Sequence, residues 1–222
     1  MTINIAIDGP AGAGKSTIAK RLAAMLQYVY VDTGAMYRAM AYYFLQKNIA
    51  GEDEKEIEKE TPNAEVSIVY KDGEQQVLLN GENVNAFLRL EEVGKMASKI
   101  SVYPVVRKKL TELQKELAKK ENVIMDGRDI GTAVLPNAQV KIYLTASSAA
   151  RAKRRFDELT AKGEKPDLAV IEKDILERDE RDMTREMSPL KQADDAILVD
   201  SSDMGIEEVV TKIYDIVKEV CA

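Results

Sequence analysis

The sequence predicts an α/β protein: a parallel five-stranded sheet flanked by helices, carrying a small antiparallel β insertion. Three observations predict it. Five short apolar runs alternate with longer segments of helical period. The runs lack polar alternation, as strands buried on both faces do. One section, 65–84, breaks the rhythm with alternating runs between the turn signals Asp72-Gly73 and Asn80-Gly81.

In chain order the strand candidates are "TINIAID" (2–8), "YVYVD" (28–32), "NVIMD" (122–126), "VKIYL" (140–144) and "AILVD" (196–200). Helical period marks segments near 15–26, 35–47, 104–120, 148–161, 169–186 and 205–219, and Pro189 stops the fifth. The acidic "GEDEKEIEKE" (51–60) reads as a solvated helical face, and "LLNGENV" as a hairpin turn. No repeat or low-complexity linker interrupts the pattern.

Composition narrows the chemistry. The 222 residues suit one domain with room for a substantial core. A net charge of −6 argues against a general nucleic-acid binder. The single cysteine, Cys221, has no internal partner and is expected to be an exposed thiol at a fraying end, in keeping with a reducing compartment. There is no apolar run of membrane-spanning length, and the first residues enter the strand pattern without a signal peptide, so no membrane association and a cytoplasmic location are expected. The chain contains 0 histidines, which removes imidazole bases, Ser-His triads and His-ligated zinc. Chemistry is left to charge, carboxylates, hydroxyls and backbone amides. Rate near neutral pH should then lack an imidazole-type dependence unless a carboxylate is perturbed, with Asp129 the first suspect.

The strongest motif is Gly9-Pro10-Ala11-Gly12-Ala13-Gly14-Lys15-Ser16-Thr17, a phosphate loop directly after a strand and directly before a helix. Its glycines let the backbone wrap a phosphate, and the helix adds its positive end. Lys15 is placed to reach β- and γ-phosphates and Ser16 to ligate Mg²⁺. Neither an Asn-Lys-x-Asp nor an Asp-x-x-Gly motif is present, which argues against a switch GTPase. A small-molecule kinase remains, and it needs arginines facing the loop to neutralise the transferred group. Arg38, Arg107, Arg128, the cluster Arg151, Arg154 and Arg155, and the set Arg178, Arg181 and Arg185 are the candidates. Arg178, Asp182 and Arg185, spaced by four and three, would form one polar stripe on a helix. By spacing alone they read rather as a solvated helical face laced with i,i+4 pairs.

"DGPAGAGKST", "DTGAMYR", "DGRDIGT", "ERDERDMTREMSPL" and "DSSDMGIEEVV", in this order and with the antiparallel insertion between, resemble the bacterial cytidylate kinases (CMP kinases) from end to end. The resemblance implies an adenylate-kinase-like phosphate-loop fold over 1–222, with a monophosphate-binding insertion at 60–98 and a helical lid at 150–167. It implies transfer of the γ-phosphoryl group of ATP to CMP or dCMP with Mg²⁺. Lys15 and Ser16, with Gly9, Gly12, Ala13, Gly14 and Thr17 of the loop, would hold ATP and its metal. Arg38 and Arg128 would grip the acceptor phosphate beside Tyr37. Thr33, Arg107, Asp129 and Arg185 match base-pocket positions, and Ser98, Arg178 and Asp182 the sugar site. Thr33 stands where many relatives carry serine, keeping the hydroxyl. With no dimerisation stripe, a monomer is expected. Kinases of other small acceptors, such as another nucleoside monophosphate or shikimate, and a slow regulatory ATPase are the alternatives.

Overall fold

The structure, a computed structural model, describes residues 2–71 and 74–221. The Asp72-Gly73 turn signal therefore lies outside the described residues. The chain divides into two compact units, Met1–Tyr30 with Glu121–Ala222, and Val31–Lys120.

The first unit is built on the phosphate-loop strand β1 (Asn4–Asp8) and helix α1 (Lys15–Leu26). β2 (Val29–Asp32) carries the chain toward the second unit. After the return come β6 (Val123–Gly127), a π turn (Ile130–Val134), β7 (Val140–Thr145), α6 (Ser148–Ala161), α7 (Leu168–Thr184), β8 (Ile197–Asp200) and α8 (Ile206–Cys221). The sheet order is β2-β6-β1-β7-β8. Central β1 is parallel to both neighbours, with Asp8 level with Gly127 on one side and Tyr143 on the other. The phosphate loop and the Arg128–Asp129 turn both follow strands at that carboxyl edge, where ligands bind in open α/β sheets.

The apolar runs are continuous because helices cover the sheet. Ile5, Ile7, Ile124, Ile142 and Leu144 meet Ile18, Ala19 and Leu22 of α1 and Val210, Ile213 and Val217 of α8. On α8 the buried Val209, Val210, Ile213 and Val217 recur at helical spacing. Each such side chain contributes roughly 1.5–3 kcal/mol by leaving water. β8 departs from the expectation of burial on both faces: Ile197 and Leu198 are exposed and only Val199 is buried. It is an edge strand, paired only through β7. Cys221 also departs from expectation. It is half-buried in the last turn of α8 against the core, and burial raises its thiol pKa.

The second unit contains α2 (Thr33–Gln46), α3 (Glu54–Glu60), β3 (Val66–Lys71), β4 (Glu74–Leu79), β5 (Glu82–Asn83), α4 (Glu91–Ile100) and α5 (Pro104–Lys120). β3, β4 and β5 form a separate antiparallel sheet. Asn80 and Gly81 turn β4 into β5 with φ of 50° and 85°, the left-handed pair a two-residue hairpin requires. The acidic 51–60 segment is helical from Glu54 as expected, with only Ile57 of α3 buried. Helix α4 was not among the expected elements, although Val93, Met96, Ala97 and Ile100 form its buried stripe. Its ten residues and internal Gly94 kept the period short.

Candidate active site

The phosphate loop needs its glycines. Gly9 has φ of 148°, and a Cβ there would lie 1.9 Å from the Leu144 carbonyl oxygen. Gly14 (φ 90°) caps α1 without a side-chain acceptor, so the first-turn amides are offered to an anion. Lys15 is buried, and its Nζ donates to the Pro10 carbonyl at 2.7 Å. Burial pushes its pKa well below the ordinary lysine range; Arg128 pushes the same way, while Asp126 and Asp8 oppose it.

Ser16 Oγ donates to Asp126 Oδ2 at 2.8 Å, and the Tyr30 hydroxyl donates to Oδ1 of the same carboxylate at 2.9 Å. Asp126 lies one residue before the end of β6, and the sequence places it at a strand end and at the head of "DGRDIGT" without giving it a role of its own. Its partnership with Ser16 gives it a further meaning. A hydroxyl and a carboxylate oxygen in contact at a helix N-terminus match Mg²⁺, which takes hard oxygens and draws its other ligands from phosphates and water. Among the described residues no group of three or more acidic or sulfur side chains forms a protein-only metal cage.

Beyond β6, Arg128 and Asp129 do not pair with each other. Arg128 Nε donates to Asp182 Oδ2 at 2.8 Å, whereas Arg185 Nη2 donates to Asp129 Oδ1 at 3.3 Å. These crossed pairs tie the glycine-bracketed turn to the end of α7, and Asp129, Asp182 and Arg185 are buried. Burial tends to raise the Asp182 pKa, but the Arg128 charge and hydrogen bond, with Arg178 and Arg185, hold it below the usual carboxylate value. Asp182 therefore belongs to no solvated, internally paired face. The one-stripe reading is corrected at Arg185, which lies past the helix end in extended backbone and donates through Nε to Ser188 O at 2.7 Å. Arg178 sits one turn before Asp182 on α7.

Of the "RAKRR" arginines, Arg151 is buried. It donates to the carbonyls of Ala146 and of loop residue Ala11, each at 2.9 Å, and pairs with Asp179 at 2.7 Å. Arg154 Nη2 donates to Ser201 O at 2.5 Å, and Arg155 pairs with Glu158 on the surface at 2.9 Å.

The second unit holds its own set. Asp32 Oδ1 caps α2 by accepting from Ala35 N–H at 2.8 Å, which starts the helix at the buried Thr33. Arg38 and Arg89 approach the same carboxylate at 3.9 and 3.6 Å. Gln75 of β4 pairs with the Asp32 backbone at both ends, accepting its N–H at 2.8 Å and donating to its carbonyl at 3.3 Å. The Arg107 guanidinium lies 5.6 Å from the Tyr37 ring centre, a cation–π distance, and donates to Ser101 O at 3.1 Å. Ser98 is buried on α4.

The structure thus brings Lys15, Ser16, Arg128, Asp129, Arg178, Asp182 and Arg185 together in the first unit. Thr33, Tyr37, Arg38, Ser98 and Arg107 belong to the second. Sequence reasoning missed Asp126 and Asp8, and it named Arg151 only as one of three cluster arginines without choosing among them. The signal for Asp126 and Asp8 was available: each is a carboxylate ending a buried strand at the ligand-binding edge.

Comparison with known proteins gives the family. Among solved structures, shikimate kinase from Bacteroides thetaiotaomicron is 13% identical with a TM-score of 0.49, covering 98% of this chain and 99% of its own. The cytidylate kinase of Carboxydothermus hydrogenoformans is 50% identical over 215 residues, 97% of each chain. That of Caldicellulosiruptor bescii is 51% identical over 218 residues, 98% of this chain and 96% of its own. The cytidylate kinase family model matches residues 5–219, and with relatives this similar along nearly their whole length the chain belongs to the cytidylate kinase family.

Proposed function

We propose that the protein is a phosphotransferase that moves the γ-phosphoryl group of ATP to CMP or dCMP, giving ADP and CDP or dCDP. The observation that carries this reading is the match to proteins named cytidylate kinase along nearly the whole chain. The phosphate loop supplies the donor side of the reaction.

Phosphoryl transfer of this kind is catalysed by positioning and by neutralising charge on the transferred group. Lys15 would leave the Pro10 carbonyl for the β- and γ-phosphates, and the α1 amides would hold oxygens of the same chain. Ser16 and Asp126 would hold Mg²⁺, which supplies further neutralisation of phosphate charge when bound. On the acceptor side, Arg38 and Arg128 would take the monophosphate, with Tyr37 beside it. Thr33, Arg107, Asp129 and Arg185 would read the base, and Ser98, Arg178 and Asp182 the sugar. Cytosine offers an amine donor with N3 and O2 acceptors, so a carboxylate and arginines are its complement. The partners Asp182 and Arg185 hold Arg128 and Asp129 in fixed rotamers, which reduces the ordering cost when the acceptor arrives.

Segment 60–98 is assigned to monophosphate binding and 150–167 to a lid. The protein would act in the cytoplasm as a monomer, without nucleic-acid or membrane partners. A coupled assay of ADP formation with CMP, dCMP, UMP, AMP and shikimate tests the reading. Stimulation greatest with CMP or dCMP supports it, and turnover indifferent to every acceptor would overturn it.

A further inference from the structure

The roles assigned so far do not use the side chain at the end of β1. Asp8 stands one residue before the phosphate loop and is buried. Its carboxylate accepts two backbone N–H groups from more than half the chain away: Oδ1 from Ile130 at 2.8 Å, and Oδ2 from Gly131 at 2.7 Å. Those two residues directly follow Arg128-Asp129 and open the π turn. A short side chain accepts through two oxygens only as a carboxylate; asparagine would turn an NH₂ against one of the amides.

We propose that Asp8 is a positioning residue, whose two-point hold on Ile130 and Gly131 fixes the Arg128–Asp129 segment against the phosphate loop for phosphoryl transfer. The proposal rests on the kinase reading above. A carboxylate kept only to stabilise the fold would behave differently. Burial pushes the Asp8 pKa up to about 6, outweighing the two N–H donors; Asp129 adds to the rise and Lys15 opposes it. A raised carboxylic pKa favours the folded state below the unfolded value of 3.8, and that contribution is lost as pH rises through about 6. At neutral pH the fold therefore holds the Asp8 charge at a cost, which marks a group retained for a task. The surroundings give it no full partner. Besides Lys15, Arg128 and Asp129, β7 presents Tyr143, whose pKa is raised by burial, Asp179 and Asp8, and Lys141, whose ammonium is bonded to Pro136 O and Asp195.

Gly131 offers an independent way to disturb the same contact. A Cβ there would lie 3.2 Å from the Lys141 stem, close enough that the stem or the turn must give, and 3.4 Å from Asp8 Oδ2, so the turn can shift against the carboxylate without a change in its charge.

The test compares wild type, Asp8→Asn and Gly131→Ala as full chains, by thermal unfolding and by CMP phosphorylation at about pH 8. Asp8→Asn should lose about 10- to 100-fold in kcat, since displaced reacting groups cost that much, with KM for ATP and for CMP each within about threefold and no lower thermal midpoint. Gly131→Ala should lose kcat in the same direction. In wild type without nucleotide, the Ile130 and Gly131 amide resonances should move together in a titration centred near 6. A folded Asp8→Asn enzyme with wild-type kcat would overturn the proposal, as would amide resonances that stay still through that titration. If Asp8→Asn does not fold, the amide titration and Gly131→Ala decide. A wild-type enzyme that ignores CMP would overturn the kinase reading instead, while the amide titration still reports on the hold.

Discussion

Removing Arg128 should damage two properties by separable amounts. Its Nε lies 2.8 Å from Asp182 Oδ2, with 20% of the Arg128 side chain and 8% of the Asp182 side chain exposed. Two unit charges about 4 Å apart attract by roughly 4 kcal/mol at an effective dielectric of about 20. Desolvation returns much of that gain, so the net worth of the pair is small, but deleting one partner of a buried pair costs about 3–5 kcal/mol. Water reaching a fifth of the Arg128 side chain, with Arg178 and Arg185 still near Asp182, reduces the expected cost of Arg128→Ala to about 2–4 kcal/mol. For a chain of this size that is a fall of about 4–16 °C in thermal midpoint. Adding Asp182→Asn should recover more than half of it, because the abandoned charge is gone. Activity should recover in neither variant, since the acceptor phosphate has lost its arginine. The assay is thermal and urea unfolding of wild type, both single variants and the double, beside kcat/KM for CMP. Additive stability losses would refute the pairing argument, and an Arg128→Ala enzyme with normal CMP use would refute the acceptor role. The pair also fixes an acid dependence. Asp182 has a depressed pKa, so its contribution is present above the unfolded value of 3.8 and is lost as pH falls through the lower folded value.

Lys15→Ala should fold and lose at least about 10²-fold in kcat, because the charge on the β- and γ-phosphates is left without its ammonium; a folded variant with normal transfer would remove Lys15 from the chemistry. Asp129→Asn should lower kcat/KM for CMP and narrow the CMP-to-UMP ratio, since an amide can turn its NH₂ toward uracil O4; parallel kinetics with both acceptors checks this, and an unchanged ratio would leave Asp129 as a partner of Arg185 alone. Arg107→Ala should impair CMP use with ATP affinity largely kept, as measured by separate titrations of the two nucleotides. Gly9→Ala should yield little soluble protein, because the added methyl meets the Leu144 carbonyl at 1.9 Å; normal yield and stability would show that the loop shifts freely.

The sheet was legible because its strands are continuous apolar runs and its helices keep a 3.6 period, both local signals. The phosphate loop was legible for the same reason: its nine residues carry their own geometry. Helix α4 escaped because its stripe holds only four residues in a ten-residue helix, with Gly94 lowering the helical propensity. The edge position of β8 escaped because "AILVD" is as apolar as a central strand, and only the strand order exposes Ile197 and Leu198. What could not be read locally were the partners. Arg128 finds Asp182, Asp129 finds Arg185, and Asp8 finds Ile130 and Gly131 across 54, 56 and more than 120 residues. No spacing rule reaches that far. The same blindness affected the choice among the "RAKRR" arginines: only the fold shows Arg151 committed to Ala11 and Asp179. Nor does any local pattern show that burial at the end of β1 pushes the Asp8 pKa up to about 6.

The most direct test is to follow the transferred group itself. Protein incubated with Mg²⁺, ATP and CMP is sampled by phosphorus NMR, with UMP and shikimate competing at equal concentration. The account predicts ADP and CDP appearing in equal amounts, with CMP consumed ahead of either competitor. ADP accompanied by inorganic phosphate and unchanged CMP, or preferential phosphorylation of a competitor, would contradict it.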